Sequence, residues 1–343
     1  RVVFADADNI KILKAAQLVF DEGVAYPILL GNVKNISAIA AANNIELSGF
    51  PIIDPADEES EEKRNEYGSL FFEKRKRKGF NYYESKKIMR DRNYYGSMMV
   101  ETGDADAMIS GLSKNYPETI RPALQIIGKE EQVQKIAGMY IVITKKGPLF
   151  LADTTINFNP TAEEVADIAI LAAREVRHFN ITPRIAMLSY SNFGSSNSPE
   201  AELMAKATAI VKQRRPDLIV DGELQASMAF NSEILKENYP FSQLVDHEVN
   251  TLIFPNLAAG NIAYNLLKEV GGAEIIGPIL LGLKKPVHVL QLGSSVRSII
   301  NMTLIAVIDA QMQIKNDTGK VEIKNDIEKE INKSSWWKRR SKS

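Results

Sequence analysis

The sequence predicts an α/β protein of two α/β/α domains, each with a largely parallel sheet, and a cleft between them. Short apolar runs alternate with amphipathic stretches along most of the chain, as in β/α units stacked on a parallel sheet. At 343 residues the chain exceeds the usual extent of one hydrophobic core. A hydrophobic share of 45% beside 25% charged residues is that of an ordinary globular protein.

The elements follow in order. Val2 to Ala5 reads as a strand, and residues 9–22 as a helix with apolar positions at Ile10, Leu13, Leu18 and Val19. Pro27 to Leu30 is the next strand, closed by Gly31. From 54 to 92 acids, bases and tyrosines mix, and the run Lys74 to Lys78 reads as a solvated helix face, with a phosphate-binding patch as the alternative. Ile141 to Thr144 and Leu149 to Ala152 flank Lys145-Lys146-Gly147-Pro148, which predicts a hairpin. Thr161 with Glu164 makes a capping box for the helix after Pro160, and Ile185 to Leu188 opens a second βαβ series. The expected first domain is 1–133 plus 286–311, the second is 134–285, and 312–343 is a charged tail ending in Trp336-Trp337-Lys338-Arg339-Arg340. The tail's composition fits an appendage, an ordered helix or an interaction segment alike.

Composition excludes several functions. A net charge of -1 argues against a nucleic-acid partner. Without cysteine there is no thiolate nucleophile, disulfide or cysteine-ligated metal, which fits a cytoplasmic setting. His178, His247 and His288 show no ligand spacing, so no metal site is expected. No apolar run reaches the roughly 18 residues of a membrane span. The chain starts at Arg1, directly in a strand-like run, and is expected to be a piece of something longer.

Three segments can carry chemistry. Residues 189–196 follow a strand and hold Ser191, Asn192, Gly194 and Ser195; their backbone N–H groups either receive an anion or form an ordinary βα turn. Asn256 to Asn261 repeats the arrangement: Gly260 would let a ligand approach the backbone, and Asn256 and Asn261 cap the helix or bind ligand. Arg121, before Pro122 and taken as extended, would hold a planar oxyanion or form an interdomain salt bridge. Asp104 and Asp106 read as turn and cap residues.

Together, Gly103-Asp104-Ala105-Asp106, Thr119-Ile120-Arg121-Pro122-Ala123-Leu124-Gln125, Ser189 to Ser195, Asp221-Gly222-Glu223-Leu224-Gln225, Phe254 to Asn261 and Gly271 to Ile279 resemble phosphotransacetylases. The resemblance implies that family's two-domain, isocitrate-dehydrogenase-like fold. It also exposes departures. Where the family carries Ser-Arg-Gly-x-Ser-x-x-Asp-Ile, this chain reads Gln291-Leu292-Gly293-Ser294-Ser295-Val296-Arg297-Ser298-Ile299, so serine, arginine and aspartate become Gln291, Leu292 and Ser298. A His-Ser-Thr segment is replaced by Lys114-Asn115-Tyr116-Pro117.

The pattern from Gly111 to Pro122, with Ser191 to Ser196, is similar to the C-terminal phosphotransacetylase-like domain of bacterial NADP-dependent malic enzymes. That resemblance implies a noncatalytic regulatory and oligomerisation domain. Acetyl-CoA or a related acyl-CoA would be its ligand and a homo-oligomer, at least a dimer, its state; NADP and a divalent metal would belong to an N-terminal malic domain absent here. The expected ligand contacts are Lys114, Tyr116, Arg121, Ser191, Asn192, Gly194, Ser195, Asn256, Gly260, Asn261, Gln291, Gly293, Ser294 and Ser295. The alternative is an active acyltransferase using Lys114, Arg121 and Arg297.

Overall fold

The computed structural model describes residues 1–47 and 49–315. Of the expected tail, residues 312–315 continue a helix, and 316–343 lie outside the described residues.

The chain opens with β1 (Val2–Phe4), α1 (Ile10–Asp21), β2 (Pro27–Leu30), α2 (Val33–Ala42) and β3 (Ile52–Ile53). The charged region forms α3 (Glu61–Arg75) and α4 (Tyr82–Ile88), followed by α5 (Arg92–Thr102), β4 (Ala107–Ser110) and α6 (Tyr116–Ile126). Next come β5 (Ala137–Thr144), β6 (Gly147–Ala152), α7 (Ala162–His178), β7 (Arg184–Leu188), α8 (Pro199–Arg214) and β8 (Ile219–Leu224). The short helices α9 (Ala226–Ala229) and α10 (Ser232–Asn238) lead to β9 (Thr251–Ile253), α11 (Leu257–Glu269), β10 (Glu274–Leu281) and β11 (Val287–Val289). Residues 296–315 are helical and are called α12.

Two sheets result. The first has five strands in the order β11-β4-β1-β2-β3, all parallel. The second has six, β10-β5-β6-β9-β7-β8. In it β6, β9, β7 and β8 run parallel, while the β5–β6 hairpin and β10 supply antiparallel pairs. The α/β class with mostly parallel sheets is therefore observed. The hairpin turn is shorter than expected, because Gly147 and Pro148 pair as strand residues with Thr144 and Ile143.

Local signals explain several element ends. Thr161 Oγ1 accepts from Glu164 N at 3.3 Å while the Glu164 carboxylate accepts from Thr161 N at 3.0 Å, the capping box read from the sequence. Asn9, Asn32, Asn81 and Asn115 each cap a helix through the side chain. Arg121 and Pro122 correct the sequence reading: both lie inside α6, not in an extended segment. Asn115 caps that helix, and burial of Ile120, Ala123 and Ile126 along one face outweighs the bias that proline places on its predecessor.

One continuous cluster of buried apolar side chains joins the two sheets, running from Phe4 and Leu29 through Ile299, Met302 and Ile305 of α12 to Val165 and Val176 of α7. On the same seam the end of α7 meets α12. His178 Nδ1 lies 3.2 Å from Glu175 and 3.5 Å from Asp309, and His288 Nε2 of β11 lies 3.0 Å from Asp309. Asp309, then Glu175, hold the His178 imidazolium up to about 9. Of the three histidines, His178 and His288 converge on Asp309 although they are far apart in the chain. Among the described residues, no helix is long and apolar enough to cross a membrane.

Candidate functional site

In parallel sheets, loops at the carboxyl ends of the strands carry function, above all where neighbouring connections diverge to opposite sides. In the first sheet β1 stands between β4 and β2, so the loops after β1, β4 and β11 converge there. Asp6, just beyond β1, is buried and organises the loop after β4. It accepts from Gly111 N at 2.7 Å, Leu112 N at 3.1 Å, Ser110 Oγ at 3.3 Å and the Ser113 hydroxyl. Gly111 is required here: its φ is +123°, and a Cβ would lie 2.5 Å from the Leu290 carbonyl. That close approach joins the loop carrying Lys114 to the segment carrying Gln291.

Cations line this edge, most of them paired. Arg92 Nη1 lies 2.6 Å from Asp8, Lys114 pairs with Asp91, and Arg297 Nε lies 3.1 Å from Glu274. Lys11 Nζ donates to the Ser294 carbonyl at 3.1 Å. Lys114, expected as a ligand contact, thus already holds a carboxylate of the chain. Arg121 is exposed on α6, in the electrostatic field of Tyr94, whose hydroxyl donates to Gln125 at 2.6 Å. Arg121 makes no side-chain hydrogen bond or ion pair among the described residues, which leaves its guanidinium fork available to an oxyanion.

Across from this edge stands a wall of tyrosines. Tyr140 and Tyr264 stack with centroids 4.2 Å apart and planes inclined by 23°. Gln291 Nε2 donates to the Tyr140 hydroxyl at 2.5 Å and reaches that of Tyr264 at 3.5 Å. The Tyr116 ring packs against Ile120, Ile136, Leu280 and Val289, and its hydroxyl is buried without a hydrogen-bond partner. Burial pushes the Tyr116 and Tyr140 hydroxyls well above the ordinary tyrosine range, so both stay protonated. Beside the wall, Leu292 is 64% exposed, and Gly293 has open space where a Cβ would sit.

The start of α12 is closed by its own side chains. Ser295 Oγ accepts from Ser298 N at 3.1 Å and shares a hydrogen with Ser298 Oγ at 2.9 Å. Ser295 is a helix cap and not an open ligand donor.

The second sheet's loops revise other expectations. The turn 189–196 is not an open anion cradle, because a carboxylate of the chain already sits in it. Glu223, 2% exposed, accepts from Gly194 N at 2.7 Å and Ser191 Oγ at 2.9 Å. Asn192 N and Ser196 N donate to Ser195 Oγ and Ser191 Oγ at 2.9 and 3.1 Å, and Asn192 Oδ1 accepts from Gln225 N at 2.8 Å. Ser191, Asn192, Gly194 and Ser195 are therefore occupied within the loop.

Asn256 caps α11 by accepting from Ala259 N at 2.9 Å, while Asn261 lies inside the helix and donates to the Thr154 carbonyl at 3.4 Å. Gly260 serves packing and not ligand approach: a Cβ there would fall 2.3 Å from the Asp153 carbonyl. Gly260→Ala is expected to lose about 1–3 kcal/mol of stability through overpacking, read as a lower urea midpoint with or without acyl-CoA. A drop confined to ligand affinity would contradict this.

Sequence reading missed Asp6, Asp8, Arg92, Tyr140, Tyr264 and Asp153. Asp6 and Asp8 had a signal, since they stand directly after an apolar strand and before a capped helix. Tyr140 had none, because a tyrosine in an apolar strand reads as core.

Against known proteins, the phosphate acetyl/butaryl transferase family matches residues 1–307. The chain is 37% identical over 310 residues to the phosphate acetyltransferase of Bacillus subtilis, covering 90% of this chain and 94% of that enzyme. It is also 37% identical over 314 residues to the NADP-dependent malic enzyme of Haemophilus influenzae, covering 91% of this chain and 41% of that protein. The solved structure of a phosphotransacetylase from Streptococcus pyogenes superposes with a TM-score of 0.83 at 35% identity, over 92% of this chain and 94% of that one. These similarities overturn the expectation of a noncatalytic regulatory domain. They run along almost the full length of enzymes that carry out the transfer, at an identity equal to that with the malic enzyme.

Proposed function

From the chain's membership of the phosphate acetyl/butaryl transferase family, we propose that it is an acyltransferase moving a short acyl group between coenzyme A and phosphate. The similarity to phosphate acetyltransferases over nearly their whole length carries this reading. Acyl-CoA would lie between the β1, β4 and β11 loops of the first sheet and the wall of Tyr140 and Tyr264, with its acyl carbon near Gln291 to Ser294. Arg121 is the anchor for phosphate, because its charge is uncompensated where Lys114, Arg92 and Arg297 are each paired with a carboxylate.

In the transfer the CoA sulfur bonds to the acyl carbon as the bond from that carbon to the phosphate oxygen breaks. The thiol proton passes to the departing phosphate oxygen, which leaves as hydrogen phosphate, so the leaving group itself takes the proton where Ser298 offers no base. The Gln291 amide, exposed and hydrogen-bonded to the Tyr140 hydroxyl behind it, is the uncharged donor available to the oxyanion.

Thioester formation from CoA and a panel of acyl phosphates from acetyl to butyryl, followed by absorbance, tests the proposal; background rates across the panel would refute it. Arg121→Ala should raise the KM for the acyl phosphate about 10- to 100-fold, the loss of one charge-assisted hydrogen-bonding group, with the melting temperature unchanged because the side chain is exposed and unpaired.

The malic-enzyme-like pattern of residues 111–122 and 191–196 concerns the chain's setting. It supports the same fold being carried on a longer, oligomeric protein, which the mass and sedimentation of the native protein would report.

A further inference from the structure

The seam between the two sheets holds a group of side chains that the acyl transfer does not use. Glu175 and His178 stand one turn apart at the end of α7, and Asp309 projects from α12. Each offers one ligand atom, and these atoms all lie within 4.8 Å of one another. Glu175 is 5% exposed. Its Oε1, His178 Nδ1 and Asp309 Oδ1 are buried without a hydrogen-bond partner. No aligned hydrogen bond closes the contacts among them, although the imidazole nitrogen is within ion-pair reach of both carboxylates, so the centre of the group is open to an occupant.

The spacing identifies what kind. A charge-assisted N–H···O bond closes to about 2.7–2.9 Å. Here the imidazole nitrogen stands 3.2 Å from Glu175 Oε2 and 3.5 Å from Asp309 Oδ1. A tetrahedral ion with bonds of about 2.0–2.1 Å separates its ligands by about 3.3 Å, so both separations fit two ligands on one ion. The surroundings fit as well. Asp309 keeps its other oxygen 3.0 Å from His288 Nε2. His288 Nδ1 faces the Leu280 amide at 3.5 Å, which leaves the proton on Nε2 to orient the carboxylate from behind. The neighbouring cation, Arg174, is neutralised by Glu130 through two bonds of 2.7 Å. A cavity of about 650 Å³ lined by all three residues gives an entry path and room for water as a fourth ligand.

We propose that Glu175, His178 and Asp309 form a structural site for one divalent transition-metal ion, of the zinc or manganese kind, clamping α7 to α12. Two carboxylates and a neutral imidazole balance the charge of such an ion, and a nitrogen ligand favours it over magnesium. The ion ties the helix packed on the second sheet to the helix that follows the first, so it stiffens the seam without touching the acyl-transfer residues.

The full chain, stripped with a chelator, is titrated with zinc and with manganese by calorimetry, with magnesium as the contrast, and its melting temperature is followed in parallel. One zinc or manganese ion per chain is expected, with a rise in melting temperature that magnesium does not give. His178→Gln and Asp309→Asn should each weaken binding at least 10-fold, and His288→Gln about 10-fold through loss of the supporting bond. Circular dichroism of the metal-free variants checks folding, and if one is unfolded, Glu175→Gln and the wild-type stoichiometry decide. Absence of saturable binding would overturn the proposal, as would affinity unchanged in the folded variants. A melting temperature that follows pH but not metal would overturn it too, assigning the cluster to a shared proton.

Discussion

Ser298→Asp is expected to raise the rate of acyl transfer by about 100-fold or more, the contribution typical of a positioned general base. Acyl transfer from phosphate to CoA needs the thiol proton removed, and an aspartate occupies this position in the phosphotransacetylase motif, from which the chain also departs at Gln291 and Leu292. The fold accommodates the change. Residue 298 is the third position of α12, its amide already bonded to Ser295 Oγ at 3.1 Å. A carboxylate there lies in the first turn, at the positive end of the helix, so it should stabilise α12 by about 0.3–1 kcal/mol. Joining it to Gln291→Ser and Leu292→Arg adds a charge for the departing phosphate at a side chain that is 64% exposed and free to change. Single-turnover kinetics separate the chemical step from binding. If the triple variant gained nothing, residue 298 would not face the thiol, and the base would have to be sought near Asp8 or Asp91.

Asp153→Ala is expected to cost about 4 kcal/mol or more in stability, near the limit for a single substitution. Asp153 is 2% exposed and accepts from Gly138 N at 3.1 Å, Thr155 N at 2.8 Å, Ile156 N at 3.2 Å and Asn157 N at 2.8 Å, and from the Asn157 side chain. Removing it orphans several buried donors together, each at about 1–3 kcal/mol. Asp153→Asn keeps one acceptor oxygen and should lose less. Urea unfolding of both variants gives the comparison, and a loss below about 1 kcal/mol for alanine would mean that water replaces the carboxylate. Because the Asp153 carbonyl also packs against Gly260, the loop bearing it seats the N-terminal part of α11 beside Tyr264, so its collapse should remove activity as well.

The candidate site was legible in part. The departures at Gln291, Leu292 and Ser298 could be read by position, because a motif preserves spacing even where side chains change. The free cation could not. Lys114, Arg121 and Arg297 look alike in sequence, and only the fold brings Asp91 to the first and Glu274 to the last. The turn 189–196 misled for the same reason: small polar residues and glycine after a strand describe an anion cradle equally well whether a ligand or the Glu223 carboxylate fills it.

From sequence alone came the alternation that specifies an α/β fold, the Thr161–Glu164 capping box, and the family motifs. All of these depend on neighbours a few residues apart, where backbone geometry sets the contacts. Tertiary structure decided which charges are paired, which glycine faces backbone instead of ligand, and that Glu175, His178, His288 and Asp309 share one seam. Those contacts join residues far apart in the chain, and a charge or a hydrogen-bond donor is satisfied by whatever the packing of the sheets brings within about 3 Å, which no local spacing encodes.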